Sequence, residues 1–284
     1  MAASVGYQVV GVESNDKALD TAKARVEKSV SMLLGKAVKK GKMTEEEAKA
    51  SQEKTLGNIS YSIDQKSLAD CDLVVEAIIE DLGIKIPFYE NLGKIVKPDA
   101  IFASNTSSLA ITKMAVASGR ADRFVGLHYF NPVQLMRLTE VIKTDHTNPA
   151  VFDLALKWSN SLGKTSVACG DTPGFIVNRL LVPSLAQAIL LVERGDATVG
   201  DVDISMKLGA GHPMGPLALA DYVGLDTTLS ILEGWVDEFP NEPAFIVPET
   251  LRNLVKAGRL GRKSGHGFYK WDGDKPLEPS TEPL

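Results

Sequence analysis

The run from Gly126 to Lys143, GLHYFNPVQLMRLTEVIK, puts a histidine and a carboxylate on two apolar, strand-like stretches separated by Asn131-Pro132. Phe124 to Phe130 and Leu138 to Ile142 carry the residue types of short strands, and the Asn-Pro pair breaks the chain between them. Paired side by side, these runs would let His128 and Glu140 meet. A carboxylate on one ring nitrogen fixes the tautomer and makes the other nitrogen a proton acceptor near neutral pH. The same residues also fit a histidine satisfied in a core and an unrelated surface glutamate, and the spacing alone leaves both readings open.

Elements that would position such a pair are legible on either side of it. From Tyr7 to Cys169, strand-like and helix-like segments alternate, the pattern of a sheet of parallel strands with helices on its faces. Strands are expected at Tyr7 to Val12, Asp72 to Ile78, Ala100 to Ala103, Arg123 to Phe130, Leu138 to Ile142 and Ser166 to Cys169. Helices are expected at Lys17 to Leu34, Ile84 to Val96, Leu109 to Ala117 and Val151 to Leu162. The stretch TEEEAKASQEKTLG, Thr44 to Gly57, opens with a Thr N-cap and a Glu three residues on, the spacing of a capping box. With the helix before it, this stretch makes a helical hairpin inserted at about 17–57, longer than a plain connection needs.

After Asp171-Thr-Pro-Gly174 the alternation gives way to helical periodicity, in the runs Phe175 to Arg194, Val199 to Leu208, Pro216 to Glu238 and Glu249 to Ala257. The expected fold class is therefore α/β: a Rossmann-like doubly wound sheet over residues 1–170, then a smaller all-α domain over 171–270. A helical domain with a broad apolar face often covers it with a second copy, so a homodimer through this domain is expected. The Pro-rich, acidic residues 271–284 are expected to be loosely attached or disordered.

Composition narrows the function classes. With 44% hydrophobic residues in 284, the chain can bury a large core. Its net charge of −5 with scattered Lys and Arg argues against nucleic acid. No apolar run reaches the roughly 18 residues of a membrane span. Cys71 and Cys169 lack metal-ligand spacing, so no metal is expected and both read as free buried thiols. The basic cluster Lys36 to Lys42 fits either a solvated helix face or a landing place for a phosphate-rich ligand. Met1-Ala-Ala-Ser reads as neither a signal nor a transit sequence.

A dinucleotide fold of this class carries a glycine-rich turn between its first strand and helix, and an acidic residue about 20 positions later for the adenosine ribose. Glu13, closing the strand YQVVGVE, suits that acid, and no Arg follows it to accept a 2′-phosphate. Counting back from Glu13 leads to a position before Met1, so the sheet is expected to lack its first strand and the glycine turn. Alternatively, Tyr7 to Val12 is the first strand of a sheet that never bound a nucleotide.

Four motifs bear on that choice: Ser104-Asn-Thr-Ser-Ser-Leu109, Gly126-Leu-His-Tyr-Phe-Asn-Pro132, Asp171-Thr-Pro-Gly-Phe-Ile-Val-Asn-Arg179 and Gly211-His-Pro-Met-Gly-Pro216. In order and spacing they closely resemble the L-3-hydroxyacyl-CoA dehydrogenase family, and Gly258 to Tyr269, ending KSGHGFY, is similar to that family's C-terminal signature. The resemblance spans Met1 to about Lys270, and the single helical second domain is similar to the short, monofunctional mitochondrial members.

The resemblance implies NAD-dependent oxidation of an L-3-hydroxyacyl-CoA to the 3-ketoacyl-CoA, as in fatty-acid β-oxidation, in the mitochondrial matrix. It implies that His128 takes the hydroxyl proton, Glu140 orients His128, and Ser107 and Asn178 complete the polar shell. Near NAD it implies Glu13, Glu80, Lys85, Ser107, Asn131 and Lys263. For the acyl-CoA substrate it implies Ser29 and Lys36 on the inserted hairpin. A second reading is a truncated, catalytically silent isoform, acting as a dimer subunit or an acyl-CoA binder.

Overall fold

The computed structural model describes residues 1–280 and falls into two compact units, Met1–Asp171 and a second beginning at Thr172. The first unit runs β1 (Val9–Val12), α1 (Asp16–Lys39), α2 (Glu45–Gly57), β2 (Ile59–Ser62), β3 (Leu73–Glu76), α3 (Leu82–Ile95), β4 (Ile101–Ser104), α4 (Ile111–Ala117), β5 (Phe124–Tyr129), β6 (Leu138–Lys143), α5 (Pro149–Ser161) and β7 (Thr165–Gly170). Thr44 caps α2 through the expected reciprocal bonds with Glu47. Asn15 caps α1 by accepting from the Ala18 N–H, which satisfies a donor that the first helical turn leaves unpaired.

Strands β3 to β7 form one sheet in sequence order. The first three are parallel, while β6 returns antiparallel to β5 and β7 runs parallel to β6. The return follows Asn131-Pro132, whose peptide bond is cis. Alternation along the strands splits the core between two faces. Phe102 and Phe124 pack edge-on against each other, with Tyr89 of α3 beside both. On the opposite face Ala103, Val125, Leu127 and Val141 pack with Val151, Phe152 and Ala155 of α5.

Strand β1 pairs only with β2, in a separate parallel ladder. Among the described residues no strand pairs with the second edge of β1 or the outer edge of β3. Central strands of such sheets are normally covered on both faces. Here all of β1 is only partly buried, and Val75 of β3 is exposed.

The second unit contains α6 (Val177–Glu193), α7 (Val199–Gly209), α8 (Pro216–Val223), α9 (Leu225–Glu238), α10 (Glu249–Lys256), β8 (Tyr269–Asp272) and β9 (Lys275–Pro279). Two buried carboxylates organise its polar interior. Asp203 accepts from the N–H groups of Leu217 and Ala218 and from Tyr269 Oη. Asp221 accepts from the N–H groups of Phe268 and Tyr269 and from Trp271 Nε1.

Four expectations are corrected. Strand β2, ISYS, was not anticipated, because a run this short gives little periodicity to read. The single run Pro216 to Glu238 is two helices, divided at Gly224 with φ 109°, a conformation that only glycine adopts without strain. The chain after residue 270 is not loose through Pro279: β8 and β9 form a hairpin, with Trp271 buried against the helical core. The last four residues of the expected tail lie outside the described residues. Cys71 and Cys169 are both free and half-buried, not buried. No helix among the described residues is long and apolar enough to cross a membrane.

Candidate active site

Antiparallel pairing of β5 and β6 sets His128 directly opposite Glu140. Facing residues in such a pair have Cβ atoms about 4.5–5.5 Å apart, within reach of a carboxylate and an imidazole. The two side chains meet: Nδ1 of His128 lies 2.6 Å from Oε2 of Glu140. His128 is 3% exposed and Glu140 fully buried. A buried carboxylate accepts a hydrogen bond from Nδ1–H, which leaves Nε2 with its lone pair outward. Nε2 is met by Ser107 Oγ at 3.0 Å. The ring also packs against Phe130, with centroids 4.4 Å apart.

Ser107 lies on the loop after β4, and that loop is held by Glu80. One Glu80 oxygen accepts from Thr106 Oγ1, from the Ser107 N–H at 3.0 Å and from Ser108 Oγ at 3.4 Å. The other lies 2.9 Å from Lys85 Nζ. Burial opposes the charge on Glu80. The bonds from Thr106 and Lys85, and then from the Ser107 N–H, outweigh it, so its carboxyl sits below the ordinary range. Lys85 is fully buried and also pairs with Glu76 at 3.1 Å. Lys85 is therefore an interior residue and does not itself reach the surface that an NAD contact requires.

The remaining expected residues fall in several places. Glu13 closes β1 and is half-buried, while Asn131, exposed, follows β5. Ser29 and Lys36 lie seven residues apart on α1, two turns along one helix face. Lys36, Lys39, Lys40 and Lys42 are all exposed. Asn178 occupies the first turn of α6 in the second unit. In the same unit Lys263 is paired with Asp226 at 2.5 Å.

Glu13, Glu80, Thr106, Ser107 and Asn131 all belong to the C-terminal ends of β1, β3, β4 and β5, where open α/β sheets take their ligands. A carboxylate at the end of β1 suits a ribose diol, and the hydroxyl-rich loop around Ser107 suits an amide-bearing ring. The turns Glu13–Asn15 and Ala77–Asp81 contain no glycine. These two turns do not form the glycine-rich backbone cradle that takes a pyrophosphate in such folds.

Glu76, Ser104, Tyr89 and Thr106 were missed as contributors. Glu76 was detectable in principle, as a charged residue inside the apolar run LVVEAII, a placement seldom found without a buried partner. Ser104 and Thr106 lay within a quoted motif, but nothing local distinguished them from Ser107.

Comparison with known proteins bears on the same surface. Residues 1–172 match the family model described as 3-hydroxyacyl-CoA dehydrogenase, NAD binding domain. Residues 174–271 match 3-hydroxyacyl-CoA dehydrogenase, C-terminal domain. The mitochondrial hydroxyacyl-coenzyme A dehydrogenase of Rattus norvegicus is 49% identical over 274 residues, covering 95% of this chain and 86% of the rat protein. A probable 3-hydroxybutyryl-CoA dehydrogenase of Deinococcus radiodurans is 46% identical over 271 residues, covering 95% of this chain and 94% of its own. Among solved structures, the (S)-3-hydroxybutyryl-CoA dehydrogenase of Ralstonia eutropha superimposes with a TM-score of 0.88 at 39% identity, covering 95% of this chain and 92% of that one.

Proposed function

The chain belongs to the 3-hydroxyacyl-CoA dehydrogenase family, and from that premise we propose that it oxidises the 3-hydroxyl of an L-3-hydroxyacyl-CoA to the ketone. NAD supplies the hydride acceptor when bound. The observation that carries this reading is the buried His128–Glu140 pair with Ser107 Oγ on the outward ring nitrogen.

In that reaction Nε2 of His128 accepts the hydroxyl proton as the hydride leaves the same carbon, and the ring becomes an imidazolium. Glu140 holds the ring by Nδ1 and stabilises the positive charge as it forms; general-base help of this kind is worth about 10²–10⁴-fold. Ser107 Oγ would hydrogen-bond the substrate oxygen and the nicotinamide end of the cofactor. Glu13 binds the adenosine ribose; its charge repels a 2′-phosphate and so selects NAD over NADP. Glu80 and Asn131 line the rest of the cofactor path, while Lys85, fully buried, acts on it only through Glu80. Ser29 and Lys36 meet the phosphate-bearing part of CoA from the face of α1, where the lysine cluster adds favourable charge.

The mitochondrial name of the rat relative supports a mitochondrial matrix location and a place in β-oxidation. Leu180 and Leu208 in the helical unit are 69% and 80% exposed, and we place a homodimer contact there. The interruption of the sheet between β1 and β3 favours a second reading, a catalytically silent acyl-CoA binder.

The test is turnover of the purified protein with acetoacetyl-CoA and either NADH or NADPH. Saturable NADH oxidation that depends on the thioester, with little from NADPH, is expected. Acetoacetyl-CoA binding without any nucleotide oxidation would support the silent binder, and equal use of both nucleotides would remove Glu13 from its role.

A further inference from the structure

A second buried cluster lies behind the loop that carries Ser107, and its centre is Glu76. This side chain ends β3 and is completely buried. One of its oxygens accepts from the Ile78 N–H at 2.7 Å and lies 3.1 Å from Lys85 Nζ. The other accepts from Ser104 Oγ at 2.7 Å and from Tyr89 Oη at 3.1 Å. Three hydrogen-bond donors and an ion pair on one carboxylate make it a fixed point, because each removes a direction in which it could swing.

Lys85 is also fully buried, and its ammonium is shared between Glu76 behind it and Glu80 in front. Glu80 is 39% exposed on its side chain and divides its oxygens. Oε2 faces Lys85, and Oε1 takes the Ser107 N–H together with the Thr106 and Ser108 hydroxyls. A line of contacts thus runs Glu76, Lys85, Glu80, the Ser107 backbone, Ser107 Oγ, His128. We infer that Glu76 is a positioning residue for the reaction: it holds Lys85 back, so that Glu80 keeps Ser107 against Nε2 of His128.

Without the Glu76 charge, the buried ammonium has one carboxylate left and draws Glu80 toward itself, away from the Thr106–Ser108 loop. Ser107 then loses the bond that fixes its backbone, and the hydroxyl on Nε2 is no longer set. The placement of Ser107 as a catalytic group rests on the dehydrogenase reading. The coupling from Glu76 to His128 does not, because it can be read in the free protein.

The experiment compares wild type, Glu76→Gln, Ser107→Ala and the double variant by ¹⁵N NMR of the His128 ring and by steady-state kinetics with acetoacetyl-CoA and NADH. Glu76→Gln should move the Nε2 resonance in the same direction as Ser107→Ala. It should lower kcat about 10-fold, as loss of a supporting residue does, with KM for the thioester within about twofold. The double variant should be no slower than Ser107→Ala alone, because both changes remove one interaction. An unmoved His128 resonance in Glu76→Gln, or a double variant whose loss is the product of the two single losses, would overturn the inference.

If Glu76→Gln does not fold, Ser104→Ala and Tyr89→Phe each remove one donor from the same carboxylate oxygen. Both should shift Nε2 in the same direction to a smaller extent, and an unshifted ring in both would equally overturn it. A wild-type protein that fails to oxidise NADH would sink the proposed reaction alone, while the ring resonances would still decide the coupling.

Discussion

A histidine closed in by a carboxylate on one side and a hydroxyl on the other has its tautomer chosen for it. Glu140 at 2.6 Å accepts a hydrogen bond from Nδ1–H, and Ser107 at 3.0 Å meets Nε2. The pair was legible from residue type and from the two strand-like runs. What the runs could not give was register, since a slip of one residue would have put the two side chains on opposite faces of the sheet. Glu80 shows a second limit of sequence reading: its role depends on Thr106 and on Lys85, and the burial of Lys85 is set by distant packing. Its lowered carboxyl pKa links it to stability. A group whose folded pKa is depressed contributes stability above its unfolded value of about 4.3, and loses it as pH falls through the folded value. Chemical denaturation of wild type and Glu80→Gln should therefore show a wild-type advantage at neutral pH that shrinks steadily as the pH is lowered below about 4.3. A difference that grew on acidification would mean that Glu80 is not held by its donors in the folded protein.

Element boundaries were most legible where local chemistry is strong. The Thr44–Glu47 capping box marks the start of α2 in both sequence and structure, and the runs flanking Asn131-Pro132 became β5 and β6. Legibility failed where an element is short or where a single backbone conformation decides. Strand β2 spans four residues, and it is defined by pairing with β1 over a gap of about 50 residues that no local pattern reveals. Gly224 breaks one periodic run into α8 and α9 without disturbing its apolar spacing. Close packing also fixes the site from behind. At Gly126, two residues before His128, an added Cβ would come within 2.9 Å of Ile111 and Ile142 side-chain atoms. Gly126→Ala should therefore destabilise the protein by about 1–3 kcal/mol, the usual cost of overpacking a core, measured by urea unfolding, and it should reduce kcat by displacing β5. Unchanged stability would show that β5 and α4 separate more easily than their packing implies.

At the scale of the whole molecule, fold class was readable because a long alternating region is followed by a long helical one, a contrast that survives errors at individual boundaries. The sheet itself is divided into two separate ladders, with β1 partly uncovered, a division that no local pattern announces. Asn178 and Lys263 belong to the second unit, where no local spacing relates them to His128, so only motif resemblance names them. The hairpin of β8 and β9 escaped because a Pro-rich, acidic composition hides the one residue that anchors it, Trp271, whose ring nitrogen bonds Asp221. If this chain oxidises a 3-hydroxyacyl-CoA through His128, loss of that imidazole must stop turnover without loosening the thioester. The most direct measurement is acetoacetyl-CoA-dependent NADH oxidation by wild type and His128→Gln, with acetoacetyl-CoA affinity determined by calorimetry on both. The variant should show a kcat at least about 100-fold lower with affinity for the thioester nearly unchanged. Comparable turnover by the two proteins would contradict that role of His128.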